Sequence, residues 1–132
     1  MMQKIILQPG TLAKPAGIFS SGVKVPAGHM IFVSGQVARN AAGETVGLGD
    51  IRAQTRQTLE NLKAVLEAAG ATMEDIVKVT VFVTDVSHLA AIHEVRAEYF
   101  RRDYPASTLV EVKSLVSPDL MIEIEAIAVT SA

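Results

Sequence analysis

The chain has 132 residues, 49% of them hydrophobic, a formal net charge of −2 and no cysteine. That length and apolar share predict one folded domain over residues 1–132, while the lack of cysteine excludes disulfides and thiolate metal sites. Acids and bases are interspersed, there are four Phe, two Tyr and no Trp, and the tight basic pair Arg101-Arg102 abuts Asp103, so composition disfavours a nucleic-acid partner.

The opening residues Met1-Met2-Gln3-Lys4 lead into no signal-like apolar run, and no apolar stretch approaches the length of a membrane span. The expectation is a cytoplasmic protein with no membrane partner. Lys4 to Leu7 is a candidate short strand, and Pro9 to Gly22, rich in Pro, Gly and Ser, reads as an ordered loop. Gly22 to Val25 is a second strand, ending at the turn Pro26-Ala27-Gly28. A third runs from His29 to Gln36 around Met30-Ile31-Phe32-Val33.

Asp50 is placed to cap a helix over Ile51 to Ala69, which Gly70 ends. Its predicted buried stripe is Leu59, Leu62, Leu66 and Ala69, with Thr58 and Val65 beside it. Thr72 and Asp75 have capping-box spacing ahead of a β-branched strand, Ile76 to Thr84. On that strand Val77, Val79, Val81 and Val83 share one face, and Lys78, Thr80, Phe82 and Thr84 the other. Ser87 is the expected cap of a second helix reaching Phe100, with Leu89, Ile92, Val95 and Tyr99 buried. Two strands follow, at Ser107 to Lys113 and Met121 to Thr130.

The order β-β-β-α-β-α-β-β predicts an α+β fold: a mixed sheet with two helices packed on one face. Phe82, Met121, Ile127 and Val129 would then lie on the uncovered face, which predicts an oligomer.

Glu123 and Glu125 are two apart on one strand and so point to the same side. Two readings stay open: ordinary solvated acids, or a carboxylate held between Met121 and Ile127 in a semi-buried cavity, suited to moving a proton. His29, His88 and His93 have no partner at metal-ligand spacing and read as capping or surface residues, so no metal is expected. Ser34 lacks a nucleophile-elbow context, and the glycines form no phosphate loop.

Five segments in order carry a resemblance. Val33-Ser34-Gly35-Gln36, Gln57-Thr58-Leu59-Glu60-Asn61-Leu62-Lys63, Ala68-Ala69-Gly70, Val79-Thr80-Val81-Phe82-Val83 and Ile122-Glu123-Ile124-Glu125-Ala126-Ile127-Ala128 resemble the RidA/YjgF family over nearly the whole chain. The resemblance implies a chorismate-mutase-like fold, a homotrimer, and clefts at the subunit boundaries that take a small-molecule substrate or ligand. It also implies hydrolysis of reactive imines or enamines to keto acids and ammonia, without a cofactor; a larger substrate such as an aminomuconate-like intermediate also falls within it. Glu123 is the implied catalytic residue, orienting water. Phe19, Ser34, Gly35, Gln36, His93 and Ser107 are the implied substrate-binding residues.

The chain departs from the family pattern at several of these positions. Phe19 stands where an aromatic hydroxyl is usual, Ile18 where proline is, and His93 where asparagine is common. Ser107 stands where an arginine would clamp the substrate carboxylate. A hydrogen bond to a charged partner contributes about 1.5–3 kcal/mol. Its loss would weaken carboxylate capture by about ten- to several-hundred-fold. Arg39 and Arg96 are the candidates to replace that cation. Other readings of the same clefts are a non-catalytic metabolite-binding trimer and, less favoured by composition, an endoribonuclease or translation inhibitor.

Overall fold

The structure is a computed structural model and describes residues 3–131. Strands β1 (Ile5–Leu7) and β2 (Gly22–Lys24) form a small antiparallel pair. The main sheet contains β3 (Gly28–Val37), β4 (Ile76–Val83), β5 (Ala106–Glu111) and β6 (Ile122–Ser131), in the order β3-β6-β4-β5. β4 and β5 are parallel and the other neighbours antiparallel. A parallel pair needs a crossover connection, and helix α2 (Leu89–Tyr99) supplies it. Helix α1 (Ile51–Ala68) packs on β3, β6 and α2. This is the expected order, a mixed sheet with two helices.

Asp50 caps α1 through Ala53 N, and Thr72 with Asp75 forms the expected capping box over a 3-10 turn at Met73–Asp75. Leu59, Leu62 and Leu66 are fully buried in the core with Val79, Val81, Ile122 and Ile124. Ala69 and Val65 are exposed, however, and the stripe widens instead toward Ile51, Gln54, Thr55 and Thr58. Gln54 is tolerated there because its amide is satisfied: Nε2 donates to the carbonyls of Gly47 (3.1 Å) and Asp119 (2.8 Å), and Oε1 accepts from Met121 N (2.8 Å).

Further local expectations are corrected, the first being that Leu89, expected to be buried on α2, is 38% exposed. A 3-10 turn, Val86–His88, precedes α2, and its cap is Asp85, whose carboxylate accepts from Ser87 N; Ser87 is not the cap. On β4 the register shifts between Ile76 and Lys78, so Ile76 is fully buried and Val77 leaves the buried set. On the last strand Val129 pairs with Met30 and so shares the open face, but it is covered there, at 5% exposed. That face also carries Met30 (58% exposed) and Phe32 (69%), with Val110 (40%) on β5. Phe82, Met121 and Ile127 are half-buried.

Candidate functional site

The implied site residues fall into two groups. The first is built on β3 and β6. Between Val33 and Gln36 the β3–β6 register shifts, so Ser34 and Gly35 together occupy the space opposite Glu125. The bulge brings Gly35 beneath Glu123: a Cβ added at position 35 would lie 2.0 Å from Glu123 Oε2 and 2.8 Å from its Cδ. Glu123 is half-buried, and its carboxylate occupies the volume that any side chain at 35 would need. Ser34 is exposed; Gln36 folds back, its Nε2 donating to Ser34 O at 3.1 Å.

The end of β3 is held from α1. Asn61 Nδ2 donates to the carbonyls of Val37 (2.9 Å) and Arg39 (2.8 Å), and Asn61 Oδ1 accepts from Gln57 Nε2 (2.8 Å). Those two polar residues of the second sequence segment thus fix the strand that carries Ser34 and Gly35. Sequence reading found the segment without finding this role.

The second group gathers where α2, β5 and the loop before β2 meet. Ser20 anchors the loop: its N donates to Pro105 O (3.0 Å), and its hydroxyl to Tyr104 O (2.5 Å). Just before it, Gly17 packs on His93 and Phe19; an added Cβ would meet His93 Nε2 at 3.0 Å and the Phe19 ring at 3.4 Å. His93 is half-buried rather than a surface residue, and its Nδ1 is buried without a hydrogen-bond partner. Burial, then the neighbouring Arg96 charge, lowers its pKa below 6.5, favouring the neutral ring.

Arg96 is the residue that binds this group together. Its side chain is 1% exposed, and Nη2 donates to Ile18 O (3.1 Å) and to Ser107 Oγ (3.2 Å). The Phe100 ring lies 5.9 Å from the guanidinium carbon. A guanidinium therefore does reach position 107, but from the helix and not from the strand. The sequence offered Arg96 and Arg39 as candidates for this cation, and helical spacing could not choose between them. Arg39 is elsewhere, in the loop after β3, bridged to Thr45.

The two groups lie on opposite faces of the sheet within one protomer. Glu123 is level with Phe82 on the open side, whereas Ser107 is level with buried Val79 on the helix side. A separate open cavity of about 980 Å³, lined by Lys4, Lys63, Asp75, Tyr99 and Arg102 among others, contains none of the site residues. Among the described residues no cluster of His, Asp and Glu has a metal-binding arrangement, and no helix is long and apolar enough to cross a membrane.

The family described as Endoribonuclease L-PSP matches residues 11–130. The chain belongs to this RidA/YjgF family. Among its Rid-family relatives, a RutC family protein of Pyrococcus horikoshii is 47% identical over 115 residues, 87% of this chain and 89% of that protein. A Rid-family protein of unknown function from Yersinia pestis superposes with a TM-score of 0.88 at 40% identity, covering 96% of this chain and 98% of the other. RidA from an Antarctic Psychrobacter gives 0.73 at 32% identity, over 96% and 99%. The Rid fold is therefore common to this chain and its relatives, with Glu123 and Gly35 in close contact upon it.

Proposed function

We propose that this Rid-family chain is a cofactor-free hydrolase acting on an imine, enamine or related C–N bond of a small metabolite. The reaction would take place where the Glu123–Gly35 group of one copy meets the His93–Ser107 group of another in a homotrimer. The observation that carries the reading is the Glu123 carboxylate, half-buried and seated on a glycine that no other residue type can replace without displacing it. A second copy is the natural cover for the face bearing Met30 and Phe32.

The chemistry needs one base that becomes one acid. Glu123 takes a proton from water as the oxygen attacks the C=N carbon, and the electron pair of the C=N bond moves to nitrogen. Glu123 passes that proton to the nitrogen, giving the neutral carbinolamine; it then takes the proton of the new hydroxyl and delivers it to the amine, so that C=O forms, the C–N bond breaks and ammonia leaves. The balance is imine plus water giving ketone plus ammonia, with no redox partner. Ser34, Gly35 and Gln36 shape one wall of the pocket, Ser107 and His93 the other, and Phe19 excludes solvent.

The test is ammonia release from freshly generated 2-iminobutyrate and from bulkier enamines, with Glu123→Ala as control. Turnover lost in the control supports the reading, and no turnover above the control removes it. A second reading, a metabolite-binding trimer without catalysis, draws on the neutral hydroxyl at position 107. It requires a ligand that raises the melting temperature and is recovered unchanged. An RNA-directed role would have to show salt-dependent RNA binding at physiological ionic strength, against a net charge of −2.

A further inference from the structure

The bulge that seats Glu123 over Gly35 contains an extra residue, and the place of that residue along β3 has to be fixed. Val33 pairs with Ala126 and Gln36 with Ile124, so Ser34 and Gly35 together face Glu125 alone. A slip by one residue would turn the side chains beyond it to the other face. It would also bring Ser34 or Gln36 beneath Glu123, where either side chain would need the space that the carboxylate fills. The register must therefore be held on the far side of the bulge. The residue directly opposite Glu123 there is Val37. Its carbonyl oxygen accepts from Asn61 Nδ2 at 2.9 Å, and the same nitrogen donates to Arg39 O at 2.8 Å. Arg39 N also donates to Val37 O (2.8 Å), a contact within the strand end that moves with it. A primary amide has two N–H donors, and those of Asn61 take two carbonyls of one strand end. Gln57, one turn earlier on α1, donates to Asn61 Oδ1 at 2.8 Å and so fixes which end of that amide faces the strand.

We infer that Asn61, oriented by Gln57, is a positioning residue for the Glu123 carboxylate and acts through the backbone of β3. The inference rests on the reading of Glu123 as the base and names what holds that base in place. Helix α1 packs on the helix side of the sheet, whereas Glu123 is on the open side level with Phe82. The amide therefore touches neither the carboxylate nor a ligand beside it. Its influence passes from α1 to Val37, from Val37 across the ladder to Glu123, and from the fixed register to Gly35. A reacting group held by such a relay loses rate when the relay is cut, because a small displacement spoils the line of attack. A clamp that served folding alone would lower stability and leave both turnover and the Gly35–Glu123 contact as they are.

The test is Asn61→Ala in the full chain, alone and combined with Gly35→Ala, followed by steady-state ammonia release and by thermal melts. In Asn61→Ala, kcat should fall about 10²-fold, as for a misplacement of about 1 Å, with KM changed less than about threefold. In the melts, Gly35→Ala should lower the melting temperature of the wild type. Beside Asn61→Ala the same change should lower it by less than about half as much, because a released strand can carry the new methyl away from Glu123. Wild-type kcat in folded Asn61→Ala, or equal Gly35→Ala decrements in the two backgrounds, overturns the positioning role. If circular dichroism shows that Asn61→Ala does not fold, Gln57→Leu takes its place in both measurements, since it keeps the Asn61 amide but frees it to turn. Its expected kcat loss is about five- to tenfold, the worth of one neutral hydrogen bond, and an unchanged kcat again overturns the role. Should the wild type release no ammonia from any substrate, the hydrolase falls and the melts alone decide: a reduced decrement keeps the clamp on Glu123, and equal decrements remove it.

Discussion

A methyl group at position 35 would lie 2.8 Å from the Cδ of Glu123 and 3.0 Å from its Cγ, so Gly35→Ala has to move the whole carboxylate. The expected cost is about 1–3 kcal/mol, as for overpacking elsewhere. Repeated in a Glu123→Ala background, the same change should cost less than about 0.5 kcal/mol, because the clash has gone. Thermal melts of the four proteins check this, and equal costs in the two backgrounds would mean that the residues do not compete for space. Turnover should fall by about 10²–10⁴-fold in Gly35→Ala if Glu123 is the base. His93 provides a pH signature. Its native pKa is lowered from an unfolded value of 6.5 by burial and by Arg96, so the unfolded chain takes up the proton first. Its contribution to stability is therefore complete above about pH 6.5, declines as pH falls toward the native pKa, and is level below that. His93→Gln should flatten this part of a melting-temperature profile between pH 7 and 5.

Among the elements, α1 depends on one buried amide more than on its surface charges. Gln54 is fully buried and satisfies the backbone of Gly47, Asp119 and Met121, which joins the helix to the segment entering β6 and hence to Glu123. Gln54→Leu would keep the volume and orphan three backbone groups, a loss of about 2–4 kcal/mol in urea unfolding. Arg52 pairs with Glu94 across to α2, but their side chains are 53% and 64% exposed. Arg52→Ala should therefore cost less than about 1 kcal/mol. Equal costs of the two changes would overturn that order of importance.

For the whole molecule, the proposed assembly turns on the open sheet face. Phe32 is 69% exposed and Met30 58% exposed, beside half-buried Ile127 and Phe82. An apolar face of that kind is usually covered by another subunit. Phe32→Glu should lower the mass measured by analytical ultracentrifugation and abolish turnover while far-UV circular dichroism is retained. An unchanged mass would remove the composite site, since Glu123 and Ser107 lie on opposite sides of one sheet.

The sequence by itself determined the element order, the caps at Asp50 and Thr72, the leucine stripe of α1 and the family, because periodicity and capping are local and five segments in register are specific. It did not yield the bulges at Val77 and Ser34–Gly35, the burial of Val129, or the true cap at Asp85. Bulges and strand register depend on which strands pair, and pairing joins residues far apart in the chain. Arg96 shows the same limit: the sequence offered it beside Arg39 and could not choose between them. An arginine on a helix is ordinarily solvated, and only the meeting of α2, β5 and the Ile18 loop buries this one beside Ser107. The chemistry of each residue was legible along the chain; its neighbours were decided by tertiary contact.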